Sequence, residues 1–203
     1  RRVVGHSRRM PPKPGSRALG IAASDTLDRS QLCGAVVRAY RVVDEVAFET
    51  CTTGGTDATA GCCRLVDCLD RPDVRWLFVA GIAPAWFNIL DLAELAAHAD
   101  RPVIAVSFED SDGLAGPLAD QFEGDKLDRR LEIYRRLPPR TQIRVGTDYL
   151  FVRAVDIADE EATEVVTACT PDGSGRPEPL RVARLVARAG RQQYLDETEK
   201  TES

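Results

Sequence analysis

The residues best suited to chemistry lie where strands are expected to end. In "TTGGTDAT", Gly54 and Gly55 allow the backbone to turn sharply or to approach a ligand closely, and Asp57 follows at the start of a helix. There Asp57 can cap the helix or hold a divalent cation in a cleft at the strand ends. No lysine follows the glycines, which excludes a Walker-type phosphate loop. In "AGIAPAWFNILDL", Asn88 reads as an N-cap and Asp91 as a first-turn carboxylate that favours the helix dipole. The functional alternative brings Asp91 beside Asp57 and makes Trp86 and Phe87 stacking faces for a nucleobase, a contact that contributes about 1–3 kcal/mol per base. Plain core packing explains the aromatic pair equally well in kind. In "FEDSDGL", Glu109, Asp110 and Asp112 come just past a buried strand, where ligands of α/β sheets collect, although acidic loop residues are commonly only solvated. Near the C-terminus, Arg181, Arg184, Arg188 and Arg191 recur at steps of three and four, with Arg176 upstream. Such a stripe is either a phosphate track or a solvated face paired with the acidic helix over 158–164.

The elements that must position these residues follow from hydrophobic periodicity. "RALGIAA" (17–23) reads as a buried strand, and 31–40 and 41–51 as two β-rich runs joined by a short turn. The "GGTDAT" segment opens a helix. "VRWLFVAG" (74–81) is continuously apolar, as a central strand covered on both faces must be. "NILDLAELAAHAD" predicts a helix and "RPVIAVSFED" another buried strand. Residues 114–137 are helical in pattern, with Leu127, Leu131, Tyr134 and Leu137 at helical spacing. A strand over 149–157, a helix over 159–169, a Gly/Pro loop and a final helix from Leu180 complete the order. The fold class expected is α/β of ribonuclease H-like type: a mixed sheet with three antiparallel strands leading into parallel βα units, plus C-terminal helices. A flavodoxin-like or Rossmann sheet would alternate helices from the start, and the glycine fingerprint after strand one is absent. The predicted organisation is a disordered basic leader over 1–15, one domain over 16–192 and a disordered charged tail over 193–203.

Composition narrows the classes. The chain of 203 residues is 43% hydrophobic, enough for a core, and has no run of about eighteen apolar residues that could span a bilayer. A soluble, cytoplasmic protein with no membrane partner is expected. A net charge of −5 does not announce a nucleic-acid binder, although a basic patch can sit on an acidic protein. Positive charge is almost entirely arginine, with lysine only at 13, 126 and 200. Six cysteines without a C-x-x-C, and only two histidines, argue against structural zinc and for reduced thiols acting as small core residues. Oligomeric state is not legible.

The chain resembles the largely archaeal endonuclease dU family, also called domain of unknown function 99. The stretches that carry the likeness are "RALGIA", "LCGAVVRA", "GGTDAT", "DVRWLFVAGIAPAWFNILDL", "PVIAVSFE" and "RPEPLRVARLVARA", running from Arg17 to Ala189. The resemblance implies a ribonuclease H-like fold related to endonuclease V. The implied function is a metal-dependent DNA repair endonuclease that cuts strands carrying deaminated bases, deoxyuridine above all and deoxyinosine as an option. Mg²⁺ or Mn²⁺ would be the cofactor, and DNA, or RNA, the partner. Endonuclease V-type enzymes place acids on strand one, before the first helix, and at the end of the strand before the second helix. This chain offers Ala22, Ala23 and Ser24, then Asp57, then Ala80. Only Asp57 transfers. The expectation is therefore a rebuilt cluster with Asp57, Asp91 and Asp25 as catalytic acids and Asp57, Asp91 and Glu109 as metal ligands. Gly54, Gly55, Trp86, Phe87, Asn88, Arg176, Arg181, Arg184 and Arg188 would contact the strand. The alternative is a catalytically decayed protein that binds nucleic acid or a small ligand on the same fold.

Overall fold

The computed structural model describes residues 13, 15–38 and 41–202. Apart from Lys13 and Gly15, the leader expected over 1–15 lies outside the described residues. In chain order the elements are β1 (Arg17–Asp25), β2 (Arg29–Arg38), β3 (Val43–Thr52), α1 (Ala58–Leu69), β4 (Val74–Ala80), a one-turn segment α2 (Pro84–Phe87), α3 (Leu92–Ala99), β5 (Val103–Ser107), α4 (Ala115–Gln121), α5 (Gly124–Arg136), β6 (Thr141–Val145), β7 (Asp148–Val155), α6 (Asp159–Ala168) and α7 (Glu178–Glu202).

The seven strands form one sheet in the order β3-β2-β1-β4-β5-β7-β6. The β1–β2–β3 meander is antiparallel, β1, β4 and β5 run parallel, and β7 and β6 return antiparallel. Strands alternate their side chains between faces. Leu19 and Ile21 of β1 and Leu77 and Val79 of β4 therefore face a core shared with α1 and α3. Trp76 and Phe78 point the other way, into a core completed by Val165 and Val166 of α6. That two-sided burial is why β4 reads as an apolar run interrupted by the exposed Arg75 alone. Fully burying such a Leu or Phe contributes about 1.5–3 kcal/mol.

The C-terminal helix α7 lies over β1 and β2, with Val182 and Ala183 packed on Ala22, Ala35 and Val37. The approach is close: a Cβ on Gly20 would stand 2.1 Å from the Pro179 carbonyl oxygen. Only glycine fits there.

Four expectations are corrected. The helix expected from Asn88 begins at Leu92, because residues 85–87 turn left-handed. The single helical span expected over 114–137 is two helices with a break at Phe122 and Glu123. A strand absent from the sequence reading, β6, pairs with β7. The last helix runs on to Glu202, through residues where a charged tail was expected. Among the described residues no helix is long and apolar enough to cross a membrane.

Candidate functional site

The loops after β3, β4 and β5 and the end of β1 meet at one edge of the sheet. Two of them are fastened together. Gly54 N donates to the Ala85 carbonyl at 2.7 Å, so the β3–α1 turn and the segment after β4 share a backbone bond. Gly54 has φ +69°, and a Cβ there would stand 2.7 Å from Trp86 Cε3. The glycine is thus needed both for its left-handed backbone and for the space that the indole fills.

Asp57 does not cap α1. Both oxygens of its carboxylate accept from Thr52 N, at 3.0 and 3.1 Å, and Oδ2 also accepts from Thr52 Oγ1 at 2.9 Å. The Asn88 amide donates to Asp57 Oδ1 at 2.8 Å and to the Thr52 carbonyl at 3.0 Å. Its own Oδ1 accepts from Ala58 N at 2.9 Å, so Asn88 supplies the cap that Asp57 withholds. Burial alone would raise the Asp57 carboxyl, but the donors from Asn88 and Thr52 outweigh it and hold the group below its ordinary value. Asp57 is ionised and already satisfied.

Asn88 is fully buried, which corrects its expected contact with a strand: its amide spans two loops and has no free face. Asp91, expected in the first turn of a helix, is the N-cap of α3. It accepts from Ala93 N and Glu94 N, and its other oxygen lies 3.1 Å from Arg136 Nη2. Asp25 accepts from Ser30 Oγ at 2.6 Å. Glu109 is exposed beyond β5, where its charge acts on Arg184. These acids therefore have separate partners. Among the described residues, no group of three or more His, Cys, Asp or Glu is placed to hold a metal ion.

The apolar opening of the cleft has a physical description. Ile21 of β1 lies beside Val79 of β4, and Ala22 and Ala80 follow one residue further along the two strands. With Cys62, Pro84 and Leu90 they surround a void of about 10 Å³. One water needs about 10–15 Å³ and several polar partners. Alanine methyls cannot ligate a divalent cation. The residues present do not fit the Mg²⁺ or Mn²⁺ site that the fold implies.

Trp86 does stand out into solvent, at 49% exposure. Ala85, Trp86 and Phe87 all have positive φ, 51°, 52° and 60°. Left-handed backbone costs a non-glycine residue about 1–2 kcal/mol, so three in a row must be held by their surroundings. Arg130 of α5 is what holds them. Buried at 3% exposure, it donates to the Phe87 carbonyl at 3.1 Å and to the Gly54 and Gly55 carbonyls at 2.5 and 2.9 Å. Its guanidinium also lies 3.8 Å from the centre of the Phe122 ring. Phe87 meets Trp86 and Phe122 edge-on and packs with Ile89 and Leu118, a wall behind the exposed indole. Arg130 was missed in the sequence, yet it lies on the apolar spacing Leu127, Arg130, Leu131, Tyr134 of α5, and a charge on that face signals a buried anchor.

The arginines divide. Arg181 is bidentate to Glu178, with both contacts at 2.7 Å. Arg176 lies 4.0 Å from the centre of the Phe108 ring. Burial, then the charges of Arg176 and Arg188, lower Arg184 from its ordinary value, while Glu109 acts the other way. Arg176, Arg184 and Arg188 thus form one positive cluster beside the loop after β5. Four cysteines are buried as expected, but Cys68 is exposed and Cys169 half-buried. Burial, then the charges of Asp57 and Asp25, push the Cys51 thiol up to about 12.

Comparison with known proteins agrees with this architecture. A UPF0215 protein of Pyrobaculum calidifontis is 34% identical over 167 residues, covering 82% of this chain and 90% of its own length. A second, from Pyrobaculum aerophilum, is 33% identical over 178 residues, with 86% and 94% covered. Among solved structures, a protein of unknown function from Archaeoglobus fulgidus superposes with a TM-score of 0.76 at 24% identity, covering 85% of this chain and 96% of that one. Ciona intestinalis endonuclease V, in complex with DNA containing an inosine, superposes with a TM-score of 0.62 at 11% identity, with 89% and 87% covered. The fold is of the ribonuclease H-like type. The endonuclease dU family model matches residues 14–190, and the chain belongs to that family.

Proposed function

We propose that this protein binds nucleic-acid strands carrying damaged bases, DNA foremost, and does so without metal-dependent cutting. The observation that carries the reading is the alanine-lined end of β1 and β4, where Ala22 and Ala80 stand in place of acids. An acid cluster at that point repels phosphate unless cations neutralise it. With methyls there, a strand can approach with no cation present. Family membership and the endonuclease V-like sheet support a nucleic-acid ligand. The exposed Trp86 offers one face for stacking a base. Arg176, Arg184 and Arg188 offer charge for the phosphates, while Arg181, engaged by Glu178, is the weakest member of the expected track.

A second reading, a nuclease that uses Mg²⁺ or Mn²⁺ at deoxyuridine, has one observation in its favour beyond the family. The charges of Asp57 and Asp25 both act on the Cys51 thiol. Labelled single strands and duplexes holding one deoxyuridine or deoxyinosine separate the two. Binding is followed by fluorescence anisotropy and incision on denaturing gels, each in Mg²⁺, Mn²⁺ and EDTA. We expect binding that prefers the damaged strand, is unchanged by EDTA, and leaves the strand intact. Metal-dependent incision that disappears in Asp57→Ala would overturn this reading and install the nuclease.

A further inference from the structure

A cavity of about 300 Å³ lies apart from the Trp86 rim. It lies beyond the ends of β4 and β5, against β7 and α5, and its polar wall is built from Arg140, Arg153, Tyr134, Ser107, Ser111 and Glu109. That volume is at the lower end for small-molecule sites, which run from about 300 to 1,000 Å³.

Its charge is unbalanced: two arginines line it against one acid, Glu109, which is exposed to water. Arg140 Nη1 donates to the Ser111 carbonyl at 2.8 Å and to Ser111 Oγ at 3.2 Å, and Nη2 donates to the Glu109 carbonyl. Arg153 Nη1 donates to the Pro138 carbonyl. These carbonyls fix both guanidiniums but cancel no charge. The Asp110 carboxylate is 3.9 Å from Arg140 and 86% exposed, so water screens it. Arg140 Nε is buried and has no hydrogen-bond partner among the described residues. Burial lowers Arg153 from its ordinary value; Tyr134 acts the other way, and the charge of Arg140 adds to the lowering. Two partly buried cations facing one cavity are costly unless an anion joins them.

The other donors point to the kind of anion. Tyr134 Oη accepts from Leu114 N at 3.1 Å, which leaves its own O–H to donate. Ser111 Oγ accepts from Arg140, which leaves its proton available in the same way. Two guanidiniums and two hydroxyls exceed what one carboxylate can accept. A phosphate monoester, with a charge of about −1.5 to −2 at pH 7 and three terminal oxygens, matches them in charge and number. The rest of the cavity is lined by Ile82, Ala83, Leu114 and Phe151, whose ring centre is 3.8 Å from the Arg140 guanidinium. These walls suit a compact, flat, uncharged body.

We propose that this cavity binds a free phosphate monoester of mononucleotide size, its phosphate held by Arg140 and Arg153 and its body set against Ile82, Leu114 and Phe151. The site does not rest on the strand-binding reading, and oligonucleotides are absent from its test.

Isothermal titration of the full chain with deoxyuridine monophosphate, deoxyuridine and inorganic phosphate tests it. The monophosphate is expected to bind at least about tenfold more tightly than either the nucleoside or inorganic phosphate, as charge-assisted contacts and body burial each add to affinity. Arg153→Gln is expected to weaken the monophosphate by about tenfold or more. Because that change can also disturb β7, Ala83→Leu is the second variant: it fills an apolar lining position, keeps every charge, and is expected to block the monophosphate while melting with the wild type. No monophosphate binding at millimolar concentration, equal binding of the nucleoside, or unchanged binding in Ala83→Leu would each overturn the proposal. Inorganic phosphate binding as tightly as the monophosphate would reduce the site to an anion hole and overturn the assigned body.

Discussion

Replacing Asn88 tests the reasoning about the site most directly, because its amide makes three bonds in a fully buried position. Asn88→Ala removes the charge-assisted donor to Asp57, worth about 1.5–3 kcal/mol. It also removes the cap on Ala58 N, worth about 1 kcal/mol. The Thr52 carbonyl loses a donor as well. Together these predict a loss of about 3–4 kcal/mol, or about 10 °C in melting temperature for a domain of this length. The assay is thermal unfolding followed by circular dichroism across pH. Asp57 is held below its ordinary value, so its stabilisation is complete above the unfolded value of about 3.9 and fades as pH falls through the lower folded value. The gap between wild type and variant should therefore be widest near neutrality and narrow below about pH 4. Asn88→Asp sharpens the test: it sets a second carboxylate against Asp57, and acid should rescue it further than it rescues the alanine variant. A variant melting within about 2 °C of wild type at pH 7, or a gap that widens in acid, would refute the account.

Three further outcomes are expected. Arg130→Met orphans the carbonyls of Gly54, Gly55 and Phe87, and should cost at least about 3 kcal/mol in chemical denaturation and shift the Trp86 emission. Trp86→Ala should weaken single-strand binding by about tenfold with little change in melting temperature, since the indole is half exposed; unchanged anisotropy titrations would remove it from the interface. The pair Arg184→Gln and Arg188→Gln should lower the slope of log affinity against log salt by about 1.4 for single strands, at about 0.7 for each phosphate that the variant leaves unneutralised.

The sheet was legible in the sequence wherever burial is strong. The apolar run of β4 announced a strand covered on both faces, and the meander followed from its turns. β6 was not legible, since in "TQIRV" only Ile143 and Val145 are buried and five residues carry too little pattern. The caps at Asn88 and Asp91 were exchanged for one reason: Ala85, Trp86 and Phe87 have no intrinsic preference for positive φ, so nothing local announced the left-handed turn that displaces the helix start. That turn is imposed by Arg130, 43 residues beyond Phe87, and long-range hydrogen bonds leave no mark on local propensity. The acids were legible as residues but not as a cluster. Each has found a nearby structural partner, and carboxylates near helix starts and turn amides are drawn to such local bonds.

The close seat of α7 on Gly20 also bears on how the protein is made. Ala22, Ala35 and Val37 present an apolar face that, among the described residues, packs with Val182, Ala183 and Val186. During synthesis the meander can pair as soon as residue 52 has emerged, yet this face stays bare while more than a hundred further residues are translated. A nascent chain halted before Pro179 would carry an ordered sheet with one sticky side, the state that chaperones are built to shield.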